Sequence, residues 1–168
     1  MRTTVGARPL PPWVVNDDAD AWAHKTFVLQ ASYARAFVVG AGPQVAEVEV
    51  PAPAPAATPG TRPMVKVKVA ATFATIGEAI GAASGGDVVA VRPGRYVGFT
   101  IGDDSSMRDG AYLGVVALGA PGAVVIDRPL SDPSWMIYIR AGHHVLLDGF
   151  AVLGSRDGKG PRGGIMLD

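Results

Sequence analysis

From Asp87 onward the chain offers only short apolar runs, and that pattern limits its fold more than any other feature. Val88 to Val91, Phe99 to Ile101, Val115 to Leu118, Ala123 to Ile126, Trp135 to Ile139, Val145 to Leu147 and Gly164 to Leu167 follow one another. Gly, Pro, Asp or Ser cuts each run from the next. None is long enough for a helix, whereas runs of about four to eight residues between such breakers read as strands. Composition agrees, because 22 Gly and 14 Pro in 168 residues favour many short strands joined by tight turns.

One helix stands in front of these strands. Thr75-Ile76-Gly77-Glu78 has the form of a capping box, in which the Thr hydroxyl accepts from the N3 amide and Glu reaches back to the cap amide. Ile76, Ala79, Ile80 and Ala83 follow at helical spacing as one narrow apolar stripe, and Gly85-Gly86 supplies a stop. The expected helix is about ten residues long. Upstream, residues 51–63 carry five prolines interleaved with Ala, Thr and Gly, which reads as an extended linker. It is flanked by Glu47-Val48-Glu49-Val50 and Val65-Lys66-Val67-Lys68-Val69, both alternating with period two, one acidic and one basic. Cross-strand pairing would set opposite charges together, and coincidence is an equally open reading. Residues 1–50 hold three candidate strands, at Phe27 to Leu29, Ala36 to Val39 and Val45 to Val50. The alternative is a poorly ordered tail or the remnant of an upstream domain.

Two landmarks recur. Val125-Ile126-Asp127 matches Leu146-Leu147-Asp148 in form, and Ile137-Tyr138-Ile139 matches Ile165-Met166-Leu167. Spacings of roughly 20 to 30 residues fit the coils of a parallel β-helix, where loops vary without disturbing the strand ladder. A sandwich is also compatible with periodicity alone. The residues themselves carry a resemblance. Phe73-x-Thr75-Ile76-x-Glu78-Ala79-Ile80, followed by Gly86-Asp87-Val88-Val89-x-Val91-x-Pro93-Gly94-x-Tyr96, resembles the opening of pectin lyase-like right-handed β-helix proteins. Gly122 to Asp127, His144 to Phe150 and Gly163 to Leu167 resemble successive coils of that family, so the likeness spans roughly the last three-fifths of the chain.

The resemblance implies an all-β fold: a right-handed parallel β-helix over residues 64–168 with a short N-terminal capping helix. The strand at Ile165 to Leu167 would then be an unpaired edge above an exposed apolar core. The chain therefore reads as truncated at its C-terminus, with the rest of its own β-helix expected after Asp168. The implied function is that of a pectate lyase-like protein, in which Ca2+ assists β-elimination of an acidic polysaccharide. A non-catalytic carbohydrate-binding or surface solenoid is the alternative, and a pectinesterase-like protein a further one. The resemblance also implies secretion or display at the cell surface. The first twenty residues nevertheless lack the basic-then-apolar order of a signal peptide. Either the protein stays inside the cell or Met1 is not the natural start, and the second reading is preferred.

Charge and composition close off other classes. With 15 basic and 15 acidic residues, the chain shows no basic excess for nucleic acid. No Cys is present, which removes disulfides, thiolate nucleophiles and Cys-ligated zinc. No run approaches the roughly 18 apolar residues of a membrane span. No strand-loop-helix phosphate cradle and no Ser nucleophile elbow is found.

No position matches a catalytic motif. Asp127 and Asp148 end similar strands and would stack into an acidic ladder continued by Asp168, a candidate Ca2+ set; the bland alternative is turn aspartates bonding local amides. Arg156, Lys159 and Arg162 form a small basic loop that would contact an acidic glycan, against the plainer reading of a solvated loop. Asp103-Asp104 and His143-His144 read as loop and turn residues, since adjacent strand positions face opposite ways and poorly serve one metal. Arg92 and Arg95 bracket the Pro93-Gly94 turn, and Tyr96 and Trp135 read as core or wall residues. With no catalytic motif in view, the 168-residue chain is expected to release no unsaturated product from polygalacturonate in the presence of Ca2+. Absorbance of the unsaturated product checks this.

Overall fold

The computed structural model of the chain describes residues 32–53, 63–102, 112–129, 135–140, 145–153 and 163–167. Strands β1 (Ala36–Val39), β2 (Glu47–Pro51) and β3 (Met64–Phe73) precede helix α1 (Ile76–Ala82). Nine strands follow: β4 (Val88–Val91), β5 (Gly94–Val97), β6 (Phe99–Ile101), β7 (Leu113–Ala117), β8 (Val124–Arg128), β9 (Trp135–Ile139), β10 (Val145–Asp148), β11 (Phe150–Val152) and β12 (Gly163–Leu167). The fold is mostly β with one short helix, in curled and partly parallel sheets.

Three sheets take the strands in rotation. One has the order β10-β7-β4-β1-β3-β2, a second β11-β8-β5 and a third β12-β9-β6. Each pass of three strands, β4-β5-β6, β7-β8-β9 and β10-β11-β12, thus gives one strand to every sheet. All neighbours are parallel except β2 with β3.

Register explains the sequence. Phe37, Val89, Val115 and Leu147 are successive partners across the first sheet. Tyr96, Ile126 and Val152 are partners in the second; Phe99, Ile137 and Ile165 are partners in the third. The matching Ile137-Tyr138-Ile139 and Ile165-Met166-Leu167 triplets are therefore true register equivalents. One buried cluster joins Phe37, Val89, Val115, Ile126, Phe99 and Ile137 from the three sheets with Ile76, Ala79 and Ile80 from α1. Burying each of these side chains contributes about 1.5–3 kcal/mol relative to exposure.

The other face of the first sheet is covered as well. Ala36, Val88, Ala90 and Val116 pack with Tyr33, Val50 and Val67. This two-sided burial accounts for the continuous apolar run of β4, as expected of a parallel strand buried on both faces.

The N-terminal segment is part of this sheet. β1 lies between β3 and β4, so the boundary read before Met64 does not divide separate units. Glu47 faces Lys68 and Glu49 faces Lys66 in an antiparallel hairpin, the opposite-charge register that the alternation allowed. The proline-rich stretch connects these two strands; residues 54–62 of it, and the candidate strand at Phe27 to Leu29, lie outside the described residues.

The helix is shorter than its sequence suggested. The Thr75–Glu78 capping box forms, with Glu78 N–H donating to Thr75 Oγ1 at 3.2 Å and Thr75 N–H to Glu78 Oε2 at 3.1 Å. The helix stops at Ala82 because Ala83 is already extended, at φ −86° and ψ 157°. Asp87, not the glycine pair alone, pins the exit turn: its carboxylate accepts from Ser84 N–H at 3.0 Å. The same buried carboxylate takes two bonds from Arg35, at 3.1 and 2.7 Å, tying the start of β4 to the start of β1.

Two glycines permit close approach. A Cβ on Gly98, at the corner between β5 and β6, would stand 2.1 Å from the Met136 carbonyl oxygen. On Gly114 of β7 it would meet the Tyr33 ring at 2.6 to 2.8 Å. Gly114→Ala is therefore expected to lower stability by about 1–3 kcal/mol through overpacking. Gly81→Ala, where an added Cβ meets nothing within 4 Å, is expected to raise it by about 1 kcal/mol through helix propensity. Urea midpoints of the two variants check both.

Candidate functional site

A groove of about 770 Å³ opens where α1 meets the corner between β5 and β6. One wall is Gly40-Ala41 and Ala74 to Gly77; the other is Pro93 to Thr100 together with Arg128. Register builds the second wall. The ladder between β5 and β8 shifts after Tyr96–Ile126, pairing Val97 with Arg128 and leaving Asp127 as the extra residue. A bulge of this kind re-aims side chains at a sheet rim. Here it brings Arg95, Asp127 and Arg128 together.

Asp127 Oδ2 accepts from Arg95 Nε at 2.6 Å, and Asp127 Oδ1 lies 3.6 Å from Arg128 Nε. Arg128 Nη2 also donates to the Arg95 carbonyl at 3.3 Å. The aspartate side chain is 15% exposed, whereas the arginines are 65% and 62% exposed. Among the described residues that line it, only Arg95 and Arg128 carry charge, and both are cationic. Such exposed ion pairs contribute at most about 1 kcal/mol to stability, but they fix where the guanidinium groups stand.

Tyr96 forms the inner part of the wall. Its hydroxyl donates to the Arg92 carbonyl at 2.9 Å, and its ring packs against the central cluster. Arg92 in turn donates to the carbonyl oxygens of Gly40 and Pro43, holding the facing loop in place. Burial raises the Tyr96 phenol above its ordinary pKa, and the positive charge of Arg92 partly opposes this.

The two proposed site residues that the structure describes, Asp127 and Asp148, are set apart by this architecture. Asp127 and Asp148 do not form a ladder: Asp127 belongs to β8 in the second sheet, and Asp148 to β10 in the first, where its partner is Val116. Their triplets are alike in form, yet one closes the second strand of a pass and the other the first. Asp127 already faces two guanidinium groups, surroundings that repel a cation. Among the described residues no cluster of three His, Asp or Glu side chains is placed to hold a metal ion. Asp168, Arg156, Lys159, Arg162, His143, His144, Asp103 and Asp104 lie outside the described residues. Trp135 is half-buried on β9. Arg95 and Arg128 were not read as a pair; the register sets Arg95 opposite Val125, and only the shift after Tyr96 brings Arg128 opposite Val97.

No helix among the described residues is long and apolar enough to cross a membrane. No protein-family model, curated protein or solved structure matches the chain.

The Tyr96 phenol yields a pH prediction. Because its folded pKa is raised, the stabilisation is fully present below the unfolded value of about 10 and is lost as pH rises through the folded value. Tyr96→Phe is expected to lower stability by about 0.5–1.5 kcal/mol at neutral pH, through loss of the bond to Arg92. The variant should then lose less stability than the parent protein on going to alkaline pH. Urea unfolding at neutral pH and above about pH 10 checks the sign.

Proposed function

We propose that the three passes are successive coils of a right-handed parallel β-helix closed at one end by α1. We propose further that this capped end serves a protein acting on acidic polysaccharide, in the manner of pectate lyase-like proteins. The observation that carries the reading is the rotation of parallel-paired strands β4 to β12 among three sheets, with apolar side chains in register from pass to pass. Handedness follows from chirality, since connections between parallel strands of one sheet are right-handed in about 98% of cases. The groove adds the second element: an aromatic ring, a hydroxyl and two guanidinium groups suit a polyhydroxylated anion.

Among the described residues the lining side chains include no carboxylate, and the groups they offer are an aromatic ring, hydroxyls and two guanidinium groups. These groups suit glycan binding, the alternative raised by the sequence. Calcium-assisted elimination is what the resemblance implies, and no residue of the groove is given a step in it.

Affinity electrophoresis through gels containing polygalacturonate, methyl-esterified pectin or dextran tests the reading. Retardation by polygalacturonate and not by dextran is expected. Free migration in every acidic polysaccharide tried would overturn it.

A further inference from the structure

We infer that the groove beside α1 is a subsite for the carboxylate of one acidic sugar unit, with Arg95 and Arg128 as its ligand-contacting residues. The inference rests on the polysaccharide reading above and makes it specific to one place on the surface.

Three observations carry it. The groove is large enough for a small organic ligand, since such sites run from about 300 to 1,000 Å³. Among the described residues its charged lining is wholly positive, because Asp127 does not line the groove. Two guanidinium groups against one carboxylate leave a net charge of one sign facing the opening. Asp127 also holds Arg95 by its Nε edge, through a 2.6 Å bond to Oδ2, while Arg128 Nε stands 3.6 Å from Oδ1 as a charge pair without a hydrogen bond. Among the described residues, the terminal nitrogens of Arg95 make no hydrogen bond to protein, while Arg128 uses Nη2 on the Arg95 carbonyl. A guanidinium oriented through Nε presents its remaining N–H groups in the planar fork that matches a carboxylate. The same groove is lined by Thr100, Tyr96, Gly94 and Gly98, so a sugar ring would find a hydroxyl and an aromatic side chain beside the arginines.

Gly77 supplies a test that spares the arginines. It lines the groove, yet a Cβ built on it meets nothing within 4 Å. Gly77→Trp should therefore fill the groove while leaving the helix intact, since Gly is the weakest helix former apart from Pro. Titration of the full chain with trigalacturonate, followed by calorimetry, would be compared with Arg128→Gln, Gly77→Trp and fully methyl-esterified trigalacturonate. Thermal midpoints would be recorded alongside to verify folding. The expected result is weakening by roughly tenfold or more in both variants, from loss of a charge-assisted bond or of the space itself, and a comparable loss for the ester. Unchanged affinity in both folded variants would overturn the subsite, while retardation of the parent chain by polygalacturonate would leave the broader reading standing. Equal binding of ester and acid would overturn the role of the carboxylate. Failure of the parent chain to bind any acidic glycan would overturn both proposals.

Discussion

Every part of this structure depends on register between successive passes. A parallel ladder gives each residue one partner above and one below, so a slip by a single position would turn an apolar side chain from the core to the surface. Phe37, Val89, Val115 and Leu147 hold one column, and Phe99, Ile137 and Ile165 another. The loops between strands are free of that demand. Their lengths vary widely, and the apolar runs therefore recur without an even period.

The two ends of the stack meet different conditions. At one end α1 brings Ile76, Ala79 and Ile80 down upon the cluster, and its first turn is satisfied by the Thr75–Glu78 exchange. At the other, Ile165 is 48% and Leu167 71% exposed. The groove owes its place to the closed end. It lies where a helix covers the core and a bulge lifts Arg128 beside Arg95, so cap and cationic rim arise from the same few residues.

Local chemistry was the most legible layer of the sequence. The capping box needs only four consecutive residues, and the charge alternation around the proline-rich stretch needs only a hairpin to become paired. The mostly β character followed from run lengths. What sequence could not supply was which strand of a pass each run becomes. Val125-Ile126-Asp127 and Leu146-Leu147-Asp148 look alike because both are apolar strand pairs followed by an aspartate, and nothing local separates a first strand from a second. The supposed aspartate ladder failed for that reason. Arg95 and Arg128 escaped notice for the same reason, since their meeting depends on a bulge one pass away. Helix length was overread because Ala83 continues the apolar stripe while its backbone has already turned extended.

The position of β1 bears on the order in which such a chain assembles. Strands β3 and β4 are separated in sequence only by α1 and short turns, yet they are not neighbours; β1 stands between them and donates an edge to each. Completing the sheet thus brings β1 together with partners distant in sequence, at a cost in loop-closure entropy. On a ribosome that segment emerges first, as do the domains of larger chains that fold during synthesis. The growing polypeptide can consequently lay down its own template, and each later pass needs only to add to an edge that already exists.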